Sequence, residues 1–155
     1  MEAYLIATAC TKFDKKADQT FKSLTEEVYC DLLKSAKVEN GNMIGQAWFG
    51  NCGMGTFGQN NIRGQVCFTP LVQKKLFPER VGIINVEGGC ATGSMAFHGA
   101  WKDVISGTED VSLAIGVEKI YQPNQPEKIQ EIYDGGIDQF DRNEWLEFYE
   151  SIGTE

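Results

Sequence analysis

Residues 80–101 read RVGIINVEGGCATGSMAFHGAW, and this stretch decides how the chain folds. Positions 80–87 are apolar almost throughout, the pattern of a strand at the centre of a sheet. Gly88 and Gly89 permit a tight turn, and the small and apolar residues that follow have the spacing of a helix closed by Gly107. Cys90 therefore stands where a strand turns into a helix. A cysteine in the first turn of a helix faces unpaired N–H groups and the positive end of the helix dipole, and both favour the nucleophilic thiolate. A buried, inert thiol is the other reading of a free cysteine, and the local pattern leaves both open. Ala91, Gly93, Ser94 and Ala96 would keep the helix slim enough for close approach by another element.

Working outward, residues 3–9 (AYLIATA) read as a buried strand. SLTEEVYCDLLKSAKV reads as a helix, with Ser23 and Glu26 as a capping box and a stop near Asn40-Gly41. A second strand covers 44–50, followed by the glycine-rich loop NCGMGTFGQNN and a short helix within VCFTPLVQKKLF that ends before Pro78. After the Cys90 helix, DVSLAIGVEKI gives a fourth strand. The order β-α-β-(α)-β-α-β predicts an α/β fold with a mainly parallel sheet and helices packed on both faces. From Tyr121 the character changes to a linker, QPNQPEK, and then an acidic tail. There Asp141 and Glu144 form an expected capping box, and Trp145, Phe148, Tyr149 and Ile152 make an apolar stripe at helical spacing. That stripe packs on its own domain or docks on another chain. The expected division is 1–121 as a half-domain and 122–155 as linker and tail.

Charge and composition narrow the function. The net charge is -8, and residues 126–155 carry nine acids against two bases, which argues against nucleic-acid binding. No apolar run is long enough to span a membrane, and MEAYLIATAC lacks the basic start and apolar stretch of a secretory leader. Five scattered cysteines with no CxxC pair and no zinc spacing predict reduced thiols, no metal and a cytoplasmic setting. The one histidine, His98, lies eight residues beyond Cys90, roughly 12 Å along the helix, too far to be its direct base and better placed as a core or interface residue. Cys52 is a loop thiol, structural or reactive. Arg63 would meet a phosphate or a surface acid. Asp138 with Asp141, and Glu144 with Glu147, read as solvated faces. Cys10, Cys30 and Cys67 fall in regular-looking segments and are expected to be dispensable. No GK[ST] follows the glycine-rich loop, so it is not a P-loop.

INVEGGCATGSMAFHGAWKDVISGTEDVSLAIGVEKI resembles the nucleophile segment of thiolases, over residues 1 to about 121. In that family a strand and short turn lead to a Cys-Ala-Ser-Gly-like tetrapeptide, then a helix and a strand ending G-x-E-K-M or similar. Here these are Cys90-Ala91-Thr92-Gly93 and Gly116-Val117-Glu118-Lys119, with Thr for Ser. FGNCGMGTFGQ is similar to the sterol-carrier-protein-type and archaeal-type branch. The resemblance implies the N-terminal half of a five-layered thiolase, with Cys90 as acyl-carrying nucleophile, a coenzyme A thioester as substrate and no bound cofactor or metal. It further implies that the helix after Cys90 lies deep between layers, as Phe97 and Trp101 suit. The second half, which carries the catalytic histidine and an acid/base cysteine, has no counterpart in this sequence: there is no GHP-like motif and no CxG motif. With Met1 directly before the first strand read as the natural start, the expectation is a split enzyme whose partner subunit supplies those groups. Copies of the chain would meet through the strand leading to Cys90, and a small OB-fold zinc-ribbon protein is a possible third component. Two other functions stay open: a retro-aldolase or ketosynthase-like condensing subunit acting on CoA thioesters, and a non-catalytic thiolase-like scaffold.

Overall fold

The computed structural model describes residues 2–153; Met1, read above as the natural start, lies outside them. Three parallel strands, β1 (Gln46–Gly50), β2 (Gly82–Val86) and β3 (Ser112–Gly116), form one sheet in the order β2-β1-β3. Gly50 aligns with Val86 on one side and Gly116 on the other, so all three strands end at the same level. Helices α1 (Phe21–Ala36) and α2 (Arg63–Gln73) cover one face, and α3 (Thr92–Ser106) covers the other. Two shorter helices, α4 (Glu127–Asp134) and α5 (Arg142–Ser151), form the tail.

The α1/α2 side holds the dense core. Phe49 of β1 meets Phe68 of α2, which packs on Phe77 and on Tyr29 of α1 with ring centroids 4.5 and 5.9 Å away. Tyr29 is fully buried, and its hydroxyl donates to the Leu76 carbonyl at 3.1 Å; burial pushes that hydroxyl above the ordinary tyrosine range. On the opposite face α3 approaches β1 at Gly99, where a Cβ would fall 2.3 Å from the Trp48 ring. Trp48 Nε1 donates to Asp103 at 2.6 Å, and Ser112 donates to the same carboxylate oxygen at 2.8 Å, tying α3 to β1 and β3.

Several expectations need correction. The strand before Cys90 is not central. β2 is the edge, β1 the centre, and Ile84 is exposed; an apolar run reports hydrophobicity, not the number of strands alongside. Residues 3–9 form no strand, and Tyr4, Leu5 and Ile6 stand exposed. They line a cavity of 540 Å³ together with residues of β3, α1 and α3. α3 packs Ala96, Gly99 and Ala100 inward, while Met95, Phe97 and Trp101 are exposed, Phe97 and Trp101 on the cavity that residues 3–9 also line.

The caps differ too. α1 starts three residues before the expected box: Thr20 Oγ1 accepts from the Ser23 N–H at 3.1 Å and Ser23 Oγ from the Thr20 N–H at 2.8 Å. Glu26 instead pairs with Lys74, the residue that caps the end of α2. At α5, Asp141 makes no side-chain cap; Asp138 collects the Phe140 and Asp141 N–H groups at 2.9 and 3.3 Å. The stripe Trp145, Phe148, Tyr149 and Ile152 is exposed, its rings packed on one another at 5.9–6.0 Å.

Candidate functional site

In a parallel sheet the loops at the carboxyl ends of the strands build the ligand crevice. Here β1 leads into Asn51-Cys52, β2 into Glu87-Gly88-Gly89-Cys90, and β3 into Val117-Glu118-Lys119. A cavity of 1070 Å³ opens over these ends, and Cys52, Glu87, Cys90 and Glu118 line it.

Cys90 sits in a single 3-10 turn, Gly89–Ala91, that runs directly into α3. Its thiol is free and exposed. Gly89 has φ +55°, a left-handed conformation that a side chain would strain. The Thr92 hydroxyl holds the turn closed by accepting from the Gly88 N–H at 2.9 Å and donating to the Gly89 carbonyl at 2.7 Å. Glu87 Oε1 accepts from the Gly89 N–H at 2.6 Å. The expected strand-to-helix placement of Cys90 is thus met, with one irregular turn between the two elements. Gly93 has open space beside it rather than a close neighbour.

The floor of the cavity is a polar network that sequence reading did not find. Glu118 accepts the backbone N–H groups of Cys52 and Gly53 at 2.9 and 3.0 Å, and the Asn51 side-chain amide at 3.2 Å. Buried Asn51 also donates to the Val117 carbonyl at 2.7 Å and accepts from the Met54 N–H at 2.9 Å. Arg63 donates to the Asn51 carbonyl at 2.7 Å and the Asn60 carbonyl at 3.3 Å rather than to a surface acid. The sequence signal for this network was a polar residue immediately beyond the apolar run of each strand.

Cys52 is half-buried, and its thiol donates to Glu87 Oε1 at 3.7 Å. Burial, then the carboxylates of Glu87 and Glu118, push this thiol up against the opposing pull of Arg63. Cys10 lies in no regular element, contrary to the segment expected for it, and lines the cavity. Cys67 is fully buried, with burial pushing its thiol up, and Cys30 is half-buried on α1. His98 does not line the cavity; it is exposed and stacked on Trp101 at 5.4 Å. The tail carboxylates Asp138, Asp141, Glu144 and Glu147 are solvent-exposed. Among the described residues, no group of His, Cys, Asp and Glu could hold a metal ion, and no helix is long and apolar enough to cross a membrane.

The sequence matches the family described as thiolase, N-terminal domain, over residues 3–140. The chain belongs to the thiolase family. Its α/β architecture is that of the N-terminal half of the thiolase fold, with a parallel sheet between helical layers. Among curated relatives, the benzoylsuccinyl-CoA thiolase subunit BbsB of Thauera aromatica is 32% identical over 117 residues, covering 76% of this chain and 28% of that protein. The acetyl-CoA acetyltransferase of Methanocaldococcus jannaschii is also 32% identical over 117 residues, covering 75% of this chain and 28% of that protein. This thiolase domain therefore spans little more than a quarter of the length of the relatives it matches.

Proposed function

We propose that this chain is the nucleophile-bearing part of a thiolase-type acyl-CoA C-acyltransferase, with Cys90 as the acyl carrier. One observation carries the reading: in a thiolase-family chain, an exposed thiol stands on the turn between β2 and α3, at the carboxyl-end cavity of a parallel sheet. The thiolate of Cys90 attacks the 3-oxo carbonyl carbon of a 3-oxoacyl-CoA, or the thioester carbonyl carbon of acetyl-CoA. A new S–acyl bond forms. In thiolysis the bond between the α- and β-carbons of the 3-oxoacyl chain breaks, the Cys90 thiol proton passes to a base, and a proton is delivered to the departing enolate. In the acetyl-CoA direction the C–S bond to coenzyme A breaks instead, and the CoA thiol leaves with a proton. The Cys90 backbone N–H is the candidate donor to the carbonyl oxygen as negative charge builds there.

A base for Cys90 and an acid for the second substrate are both required, and the only histidine faces away from the cavity. We therefore assign the catalytic histidine and the acid/base cysteine to a second thiolase half, brought by a partner subunit. The uncovered outer face of α3 and the free edge of β2 support this reading, since an enclosed thiolase half would not leave them bare. The T. aromatica relative is itself named as a subunit. In the same reading, copies of the chain meet near β2, and residues 122–155, with the α5 stripe, dock on another component such as a small OB-fold zinc-ribbon protein. The complex works in the cytoplasm, where its thiols stay reduced.

The test is acyl trapping. Radiolabelled acyl-CoA added to the co-purified complex is expected to label the Cys90 peptide, and Cys90→Ser to remove both label and turnover with little change in stability, because the thiol is exposed. Wild-type turnover in Cys90→Ser would end the proposal, and full activity of the isolated chain would end its partner requirement.

A further inference from the structure

The cavity that presents Cys90 is also lined by Cys10 and Cys52, and the Cys52 thiol is two contacts away from Cys90. Cys52 Sγ lies 3.7 Å from Glu87 Oε1, and the same oxygen lies 2.6 Å from the N–H of Gly89, the residue before Cys90. Both thiols line one space. This creates a chemical problem. An acyl group carried as a thioester on one cysteine passes to a neighbouring thiol with no net change in bond type, so equilibrium alone does not keep it in place. Transfer requires the second sulfur to attack as thiolate. We propose that Glu87 is a positioning residue that holds Cys52 as a hydrogen-bonded thiol, so that the acyl group is accepted by Cys90 and stays there. This rests on the reading of Cys90 as the acyl carrier.

The geometry suits the task. A carboxylate accepts a hydrogen bond from a thiol but repels a thiolate, so Glu87 favours the protonated form of Cys52. Glu118 stands beneath the same residue, fixed by the Cys52 and Gly53 N–H groups, and adds a second negative charge. Arg63 is the opposing cation, held by its bonds to the Asn51 and Asn60 carbonyls, and its pull is outweighed by burial and the two carboxylates. Desolvation of the half-buried sulfur acts in the same direction as the two carboxylates. Cys90 differs in being exposed on the turn. Glu87 thus serves two sites with one oxygen: it shapes the turn under Cys90 through Gly89 and restrains the competing thiol.

Site-resolved alkylation of the full chain with iodoacetamide, followed by peptide mass spectrometry across neutral to alkaline pH, tests this. In the wild type, the Cys52 midpoint is expected above that of the same cysteine in the urea-unfolded chain. Glu87→Gln, whose amide oxygen still reaches the Gly89 N–H, should lower the midpoint and raise the Cys52 rate at neutral pH severalfold. Fully buried Cys67 reports whether the fold persists. If Glu87→Gln exposes Cys67, Glu87→Asp, with its retracted carboxylate, decides by the same comparison. A Cys52 midpoint at or below the unfolded value, or one unmoved in a folded variant, overturns the proposal. In parallel, with exposed Cys10 scored separately, S-phenyl thioacetate should acetylate Cys90 but not Cys52 in the wild type, and both Cys90 and Cys52 in Glu87→Gln. Absence of acetyl from Cys90 would overturn the reading of that cysteine as acyl carrier, an outcome separate from the Cys52 midpoint.

Discussion

The two faces of the sheet differ as a finished wall differs from an unfinished one. On the α1/α2 face, Phe49, Phe68, Leu71, Phe77 and Tyr29 seal a core with almost no exposed surface. On the other face, α3 binds the sheet through small residues and the Trp48–Asp103–Ser112 bonds, and then turns Phe97 and Trp101 outward. Aromatic rings serve opposite purposes on the two sides. On the first they hold this chain together; on the second they stand exposed. The catalytic candidate lies at the junction, on the turn that starts α3.

Paired substitutions break the comparison most sharply. Phe68→Ala should cost about 3–5 kcal/mol, the usual loss for a fully buried aromatic side chain, and urea unfolding would measure it. Phe97→Ala, on the bare face, should leave the isolated chain within about 0.5 kcal/mol of wild type yet weaken capture of the partner subunit in co-purification. Equal losses of stability would erase the distinction between the faces. A smaller effect tests how close α3 must lie. Gly99→Ala places a methyl against the Trp48 ring and should cost about 1–3 kcal/mol by overpacking, read again by urea unfolding, with the Cys90 alkylation rate altered as α3 shifts. The smallest effect belongs to the α1 surface. Gln19 and then Lys16 hold the Glu27 carboxyl below its ordinary value. A carboxyl depressed on folding contributes stability above the ordinary Glu range and loses it as pH falls through its native value. Glu27→Gln should therefore lower neutral stability slightly, leave stability at acid pH unchanged and so flatten the acid limb, an effect kept small by solvent screening of a half-exposed pair.

Legibility in the sequence followed the range of the forces involved. The alternation of strands and helices, the parallel arrangement, the α3 stop at Gly107 and the position of Cys90 all depend on neighbours in sequence, and were readable there. The lateral order of strands was not, because β1 and β2 carry similar apolar runs and only tertiary pairing distinguishes centre from edge. Residues 3–9 carry a strand-like pattern, but a strand needs a ladder partner as well as a pattern. The capping boxes were misplaced because several hydroxyls and carboxylates compete near each helix start, and Thr20 and Asp138 won through backbone geometry. At the site, the nucleophile was visible from one turn of chain, whereas Asn51, Glu87, Thr92 and Glu118 act together only after three strand ends are brought level. Thr92 was noted as a departure from serine, and its hydroxyl bridges the turn.

The three tryptophans divide the molecule optically. Trp48 lies between β1 and α3, Trp101 on the bare outer side of α3, and Trp145 on the tail stripe. Each indole thus reports on a different surface of the same chain, one half-shielded and two wet. Assembly over the α3 face alone would move the Trp101 emission to the blue and leave Trp145 where it was, while docking of the tail would do the reverse. With single-tryptophan variants, the order in which neighbours arrive becomes a sequence of colour changes, and the variant that keeps only Trp48 is the steady reference.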